Sequence, residues 1–239
     1  MPDTLLLLVI ILASGLIQGV SGFGFGLFAM GAMALVMPVP DAVVIVAIVT
    51  LSSITLNLWS VRDEIPWRDT WPIIMGAIPT SIAGVLLLRH LDATTLRIGI
   101  AIMILGGCAV SMWHPERALI KRAFPWAHLS GLVGGLFGGA LNMGGPPIVV
   151  YTLLRAWDKG QAKGAMSAYF FVTGLLRVIL HVAAGTATWP LVRQSLLLII
   201  PTVAASYLGV LIFRRLSTRT FRYAVTGLLV FLAVRVFTG

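Results

Sequence analysis

The chain has 239 residues, 59% of them apolar and only 10% charged. A soluble domain carries about a quarter charged residues, so the composition excludes an ordinary soluble protein and points to an integral membrane protein. The formal charge of +9 is spread over the gaps between apolar stretches; membrane orientation produces that distribution, whereas nucleic-acid binding gathers basic residues on one face.

In chain order, apolar segments fall at 4–37, 41–60, 70–88, 95–113, 126–154, 164–184, 191–213 and 220–237. The first follows Met1-Pro2-Asp3 and has the apolar core of a signal peptide without its basic leader, so it reads as a membrane segment. All but the first and fifth are near the ~20 residues that a spanning helix needs. As one straight helix, 4–37 would reach ~51 Å, against a hydrocarbon core of ~30 Å. Cys108, the single cysteine, leaves no intrachain disulfide; beside Gly106 and Gly107 it reads as a small packing residue.

Both long segments are interrupted by glycine: Ser14-Gly-Leu-Ile-Gln-Gly-Val-Ser-Gly-Phe-Gly-Phe-Gly26, and Ser130-Gly-Leu-Val-Gly-Gly-Leu-Phe-Gly-Gly-Ala-Leu-Asn-Met-Gly-Gly-Pro-Pro147. The matching places belong to a duplication. Ile78-Pro79-Thr80 recurs as Ile200-Pro201-Thr202, and Gly84–Arg97 aligns without a gap on Gly209–Arg222, with about half of the positions identical. The repeats divide the chain at 1–116 and 117–239.

Charge separates two topologies. If each broken segment crosses once, the repeats are parallel and basic residues divide almost evenly between the two sides. If each is a re-entrant hairpin, every half has three crossings and the halves are inverted. Only Arg89, Arg97, Arg193 and Arg235 then fall on one side, and all other basic residues except Arg177 on the other. That asymmetry is the one that cytoplasmic loops show. The expected fold is therefore an all-α polytopic membrane protein of two inverted repeats, each a glycine-broken re-entrant hairpin plus three transmembrane helices, with both termini outside.

Where a helix restarts in mid-membrane, its first N–H groups lack partners and its dipole is positive, which suits a small anion. Glycine permits close backbone approach and positive φ. The expected binding residues are Ser21, Gly22, Gly24 and Gly26 at the first break and Asn142, Gly144 and Gly145 at the second, where Pro146 and Pro147 fit a first helical turn. The alternative use of these glycines is close helix packing through small residues. Asn57 and Arg177 occupy equivalent places in the second span of each repeat and join the candidate set. Arg177, the one cation well inside an apolar segment, either meets an anionic substrate or snorkels past His181 toward the interface. No Asp or Glu lies deep in a span, which argues against cation transport and carboxylate-relayed proton coupling. No metal-ligand set, cofactor motif or catalytic set is legible.

The two segments Gly19–Gly26 and Gly134–Pro147, with the duplication and the length, resemble the sulfite exporter TauE/SafE family over essentially the whole chain. The resemblance implies a permease of the cytoplasmic (inner) membrane for sulfite, sulfoacetate or related organic anions, with Gly22, Gly24, Gly26, Gly138, Gly144 and Gly145 as its motif glycines. The expected function is a secondary transporter that binds a small anion between the broken helices. An anion channel using the same breaks, or a scaffold subunit without flux, are the alternatives. The particular anion, the direction of transport and the oligomeric state stay open.

Overall fold

A computed structural model describes residues 4–21, 23–112, 118–155, 157–213 and 218–238. Every regular element among them is helical: α1 (Thr4–Ser21), α2 (Phe25–Met33), α3 (Val39–Val61), α4 (Trp67–Leu87), α5 (Ala93–Met112), α6 (Trp126–Leu141), α7 (Gly145–Leu154), α8 (Lys159–Ala183), α9 (Trp189–Phe213) and α10 (Thr218–Thr238), with one 3₁₀ turn at Arg62–Glu64. Among the described residues α3, α4, α5, α8 and α9 are long and apolar enough to cross a bilayer.

Local chemistry sets the helix starts. Pro38 precedes α3 and Pro66 precedes α4, positions where the missing N–H costs nothing. Asp158 caps α8, accepting from the Gln161 N–H at 2.8 Å. Asp92 does the same for α5, accepting from the Thr95 N–H at 3.0 Å and the Thr95 hydroxyl at 2.6 Å. Trp67 and Trp189, 122 residues apart like Pro79 and Pro201, open α4 and α9 as exposed aromatics, the placement of interfacial anchors.

The long apolar segments are each two helices. α2 has 9 residues and α7 has 10, too few to cross ~30 Å. Glycine carries the long arms against the other half of the chain. Gly15 lies on Thr202 and Ala205, and Gly19 on Ser206 and Gly209, so α1 runs parallel to α9. Gly131, Gly135 and Gly139 lie on Ile73, Ala77 and Ser81 in turn, so α6 runs parallel to α4. Backbones touch along both seams, the geometry that small residues four apart create in membranes. In contrast α8 runs antiparallel to α3. Gly164 faces the Glu64–Ile65 peptide just past the end of α3, and Gly174 faces Leu51 inside it. Also antiparallel are α5 and α10, since the Cys108 thiol reaches the Thr226 carbonyl at 3.9 Å while Gly31 touches both Ile104 and Leu232.

Two apolar clusters result. One gathers α1, α2, α3, α5 and α10 around Ile11, Met30, Ile45 and Ile104; the other gathers α4, α6, α7 and α8 around Ile73, Ile148, Tyr151 and Tyr169. The two helix breaks meet between them.

Candidate functional site

Gly24 opens α2 at φ 103°, and Asn142 closes α6 at φ 56°. Asn142 is the sole residue other than glycine at positive φ among those described. Asparagine tolerates that conformation better than other side chains, and here it turns the chain from α6 into α7. Its amide is also a brace, donating to the Val43 carbonyl at 2.6 Å and tying the second break to α3. The two breaks touch directly: Gly26 abuts the Asn142 carbonyl so closely that no Cβ fits.

Beside that contact lies a cleft. α1 contributes Gln18, the first break Phe23 to Leu27, and α3 Ala47, Thr50, Leu51 and Ile54; Asn142, Met143 and Gly145 come from the second break, and Phe170, Gly174 and Arg177 from α8. Its volume of about 30 Å³ is room for two or three water-sized groups.

Arg177 is the charged group of the cleft among the described lining residues, and it is 4% exposed. Its Nε and one terminal nitrogen are buried without a hydrogen-bond partner. The guanidinium fits because Gly138 lacks a side chain, since a Cβ there would come within 2.5 Å of a guanidinium nitrogen; Gly174 borders the other terminal nitrogen at ordinary contact distance, 3.7 Å from where its Cβ would lie. The side chain therefore points into the protein at the level of the breaks and does not snorkel. Two further polar groups nearby are orphaned. The Thr50 hydroxyl lines the cleft without a partner, and the buried Tyr169 hydroxyl, also unpartnered, fills the notch between Gly134 and Gly144. Buried polar groups are rarely left so.

The structure thus brings together Gly24, Gly26, Asn142, Gly145 and Arg177 at the cleft, with Gly144 behind it against Gly134 and Tyr169. Asn57 is not brought there. It is buried on α3, a turn beyond Ile54, with its amide nitrogen unpartnered. Gly22 and the side chain of Ser21 lie outside the described residues. The sequence reading missed Gln18, Thr50, Tyr169, Phe170 and Gly174. Gln18 had a usable signal, since an amide inside an apolar span is costly and usually functional. Packing and site formation divide α6 by face: Gly131, Gly135 and Gly139 pack on α4, whereas Gly134 and Gly138 face Tyr169 and Arg177.

His181, one turn beyond Arg177, is buried with Nδ1 2.9 Å from the Thr186 hydroxyl. It lies off the cleft and closes the end of α8.

The profile of the sulfite exporter TauE/SafE family matches residues 6–236. The chain belongs to the TauE/SafE family. A relative described as a probable sulfite/organosulfonate exporter, TauE of Cupriavidus necator, is 27% identical over 218 residues, covering 89% of this chain and 85% of the relative. No solved structure matches. As a TauE/SafE member with several helices of spanning length and composition, the protein is a multi-pass membrane transporter.

Proposed function

We propose that the protein is a secondary transporter of small sulfur oxyanions, sulfite or organosulfonates, held at the meeting point of the two helix breaks. Arg177 carries this reading. A guanidinium with Nε and one terminal nitrogen buried without an acceptor, in a cleft with no carboxylate among its described lining residues, is stable only when an anion completes it. The relative's description, a sulfite/organosulfonate exporter, supports the chemical class. Arg177 binds the anion through its planar fork, Gly24 and Gly26 present the first N–H groups of α2, Gly145 presents its own N–H at the start of α7, where Pro146 and Pro147 have none, and Thr50 and Gln18 add neutral hydrogen bonds.

In this reading residues 1–116 and 117–239 are inverted repeats. The helix directions support it. α3 and α8, equivalent in the two halves, are antiparallel, as are α5 and α10; parallel repeats would make both pairs parallel. α1 follows α9, and α6 follows α4. With short turns reversing the chain between consecutive spans, α1 then shares the direction of α3, and α6 that of α8, so α2 and α7 are returning arms of re-entrant hairpins. The loop charges support a placement of both termini on the outer side of the inner membrane. Each long arm is packed on the opposite repeat, and alternating access comes from one hairpin-and-scaffold unit moving against the other.

Counterflow in proteoliposomes tests the function. Labelled sulfite should enter saturably and faster when unlabelled sulfite fills the lumen. A flux that rises linearly with concentration and ignores internal sulfite would identify a channel, and no flux from folded protein would leave only a scaffold.

A further inference from the structure

We infer that Gln18 and Asn57 form a second, uncharged station for the anion, on the opposite side of the helix breaks from Arg177. This deepens the transporter reading and rests on it.

The two halves make the same contacts 120 residues apart. Gly209 rests on the Leu16 carbonyl and the Gly19 α-carbon, and Gly84 rests on the Leu136 carbonyl and the Gly139 α-carbon. Past these seams the spacing holds: α2 and α7 start at Phe25 and Gly145, and α3 and α8 at Val39 and Lys159. Gln18 therefore holds the position of Gly138, and Asn57 that of Arg177. In the second half this pair is open. Gly138 has no side chain, and the Arg177 guanidinium passes it to reach the cleft. In the first half the pair is shut, because a glutamine side chain stands where the other half has none. Gln18 lines the cleft and Asn57 does not.

Asn57 nevertheless carries the mark of a ligand group. It is 3% exposed, and its amide nitrogen has no hydrogen-bond partner. Helix packing does not demand such a loss. One turn earlier on the same face of α3, the Ser53 hydroxyl pairs with the Ser206 hydroxyl of α9 at 2.6 Å, whereas the Asn57 nitrogen finds nothing. Two turns earlier on that face stands Thr50, whose hydroxyl is also orphaned and lines the cleft. Thr50 and Asn57 thus form a row of unsatisfied polar groups that leads out of the cleft along α3. Buried groups are rarely left in that condition, and an oxyanion supplies the acceptor.

The chemistry of the two stations differs. Amide N–H groups bond an ionised oxygen well but bring no charge to hold it, so the Gln18–Asn57 station passes the anion on where Arg177 retains it. With both termini outside, α3 runs inward and α8 outward. The neutral station then lies on the cytoplasmic side of the breaks and Arg177 on the outer side. The anion moves between them past Thr50 when the Gln18 side chain turns aside.

Sulfite binding and proteoliposome uptake by four full-length proteins test this: wild type, Asn57→Leu, Arg177→Gln, and the triple variant Gln18→Gly/Asn57→Arg/Arg177→Gln. Leucine is close to asparagine in volume and removes the donor. Asn57→Leu should bind sulfite with a Kd within about twofold of wild type, since Arg177 is intact, while saturated uptake falls at least about tenfold. Should Asn57→Leu fail to fold, Asn57→Ala is read by the same two quantities. The triple variant moves the guanidinium to the equivalent place, and it should regain the sulfite binding that Arg177→Gln loses. Wild-type uptake by the folded Asn57 variant overturns the second station and leaves the transporter reading standing. So does a folded triple variant that binds no better than Arg177→Gln. Equal loss of binding and uptake in the Asn57 variant puts Asn57 in the Arg177 site itself and also overturns a separate station. Folded wild type that neither binds nor carries sulfite overturns both readings.

Discussion

Gly26 and Asn142, one from each half of the chain, meet backbone to backbone: the α-carbon of the glycine rests on the carbonyl of the asparagine with no space for a Cβ. This contact fixes the two helix breaks against each other and sets the depth at which Arg177 faces them. It also separates glycines that hold the architecture from those that shape the cleft.

Alanine substitutions should expose that difference. In Gly26→Ala the new methyl enters a main-chain carbonyl that cannot yield, so stability should fall by about 3 kcal/mol or more. In Gly145→Ala the methyl meets Phe170 at 3.5 Å and Phe23 at 3.8 Å, ordinary contacts; the protein should fold and carry anion with a raised KM. Gly106→Ala, with nothing within 4 Å, should stay within about 1 kcal/mol of wild type. Melting curves in detergent, paired with uptake rates, check all three.

Gly138→Ala should behave differently again, because its methyl would press on the flexible tip of Arg177. The guanidinium can move, so the fold should persist while anion affinity drops at least about tenfold, the loss of one charge-assisted hydrogen bond. Equilibrium binding with methanesulfonate reads this directly.

Asp69, in the first turn of α4, is ion-paired with Arg155 past the end of α7, and Arg155 also donates to the Lys121 carbonyl at 2.6 Å. The Arg155 side chain is 16% and the Asp69 side chain 19% exposed. Removing the carboxylate leaves the charge of Arg155 without its counter-ion, held only by carbonyl acceptors, so Asp69→Asn should lower the melting temperature. A double-mutant cycle with Arg155→Met should return a coupling of about 1–3 kcal/mol.

Asp92 governs a pH response outside the membrane. The Thr95 hydroxyl, followed by the Thr95 N–H, holds its carboxyl below the ordinary 3.8. A carboxylate depressed in the folded state adds stability above its unfolded pKa and loses it as pH falls through the lower folded value. The melting-temperature gap between wild type and Asp92→Ala should therefore be constant near neutrality and shrink in acid below 3.8.

Much of this was legible in sequence because its physics is local or periodic. Helices α3, α4, α5, α8 and α9 follow from apolar length, and the breaks follow from Gly24, Asn142 and the Pro146-Pro147 start. Which glycines pack and which line the cleft was not legible, since Gly135 and Gly138 differ only in the helix face that the partner helix selects. Alignment by repeat put Asn57 beside Arg177, but the equivalence is one of chain position; α3 presents Thr50 to the cleft and carries Asn57 a turn away. Tyr169 reads as an interior aromatic until its hydroxyl is found against two glycines.

Whether Arg177 holds the anion where the breaks meet is read by sulfite uptake of wild type and Arg177→Gln side by side in proteoliposomes, with melting curves on the same preparations. Arg177→Gln should melt at or above the wild-type temperature, because an unpaired buried cation is gone, while saturable uptake should fall at least about tenfold. Unchanged uptake kinetics in a folded Arg177→Gln protein would contradict that role of Arg177.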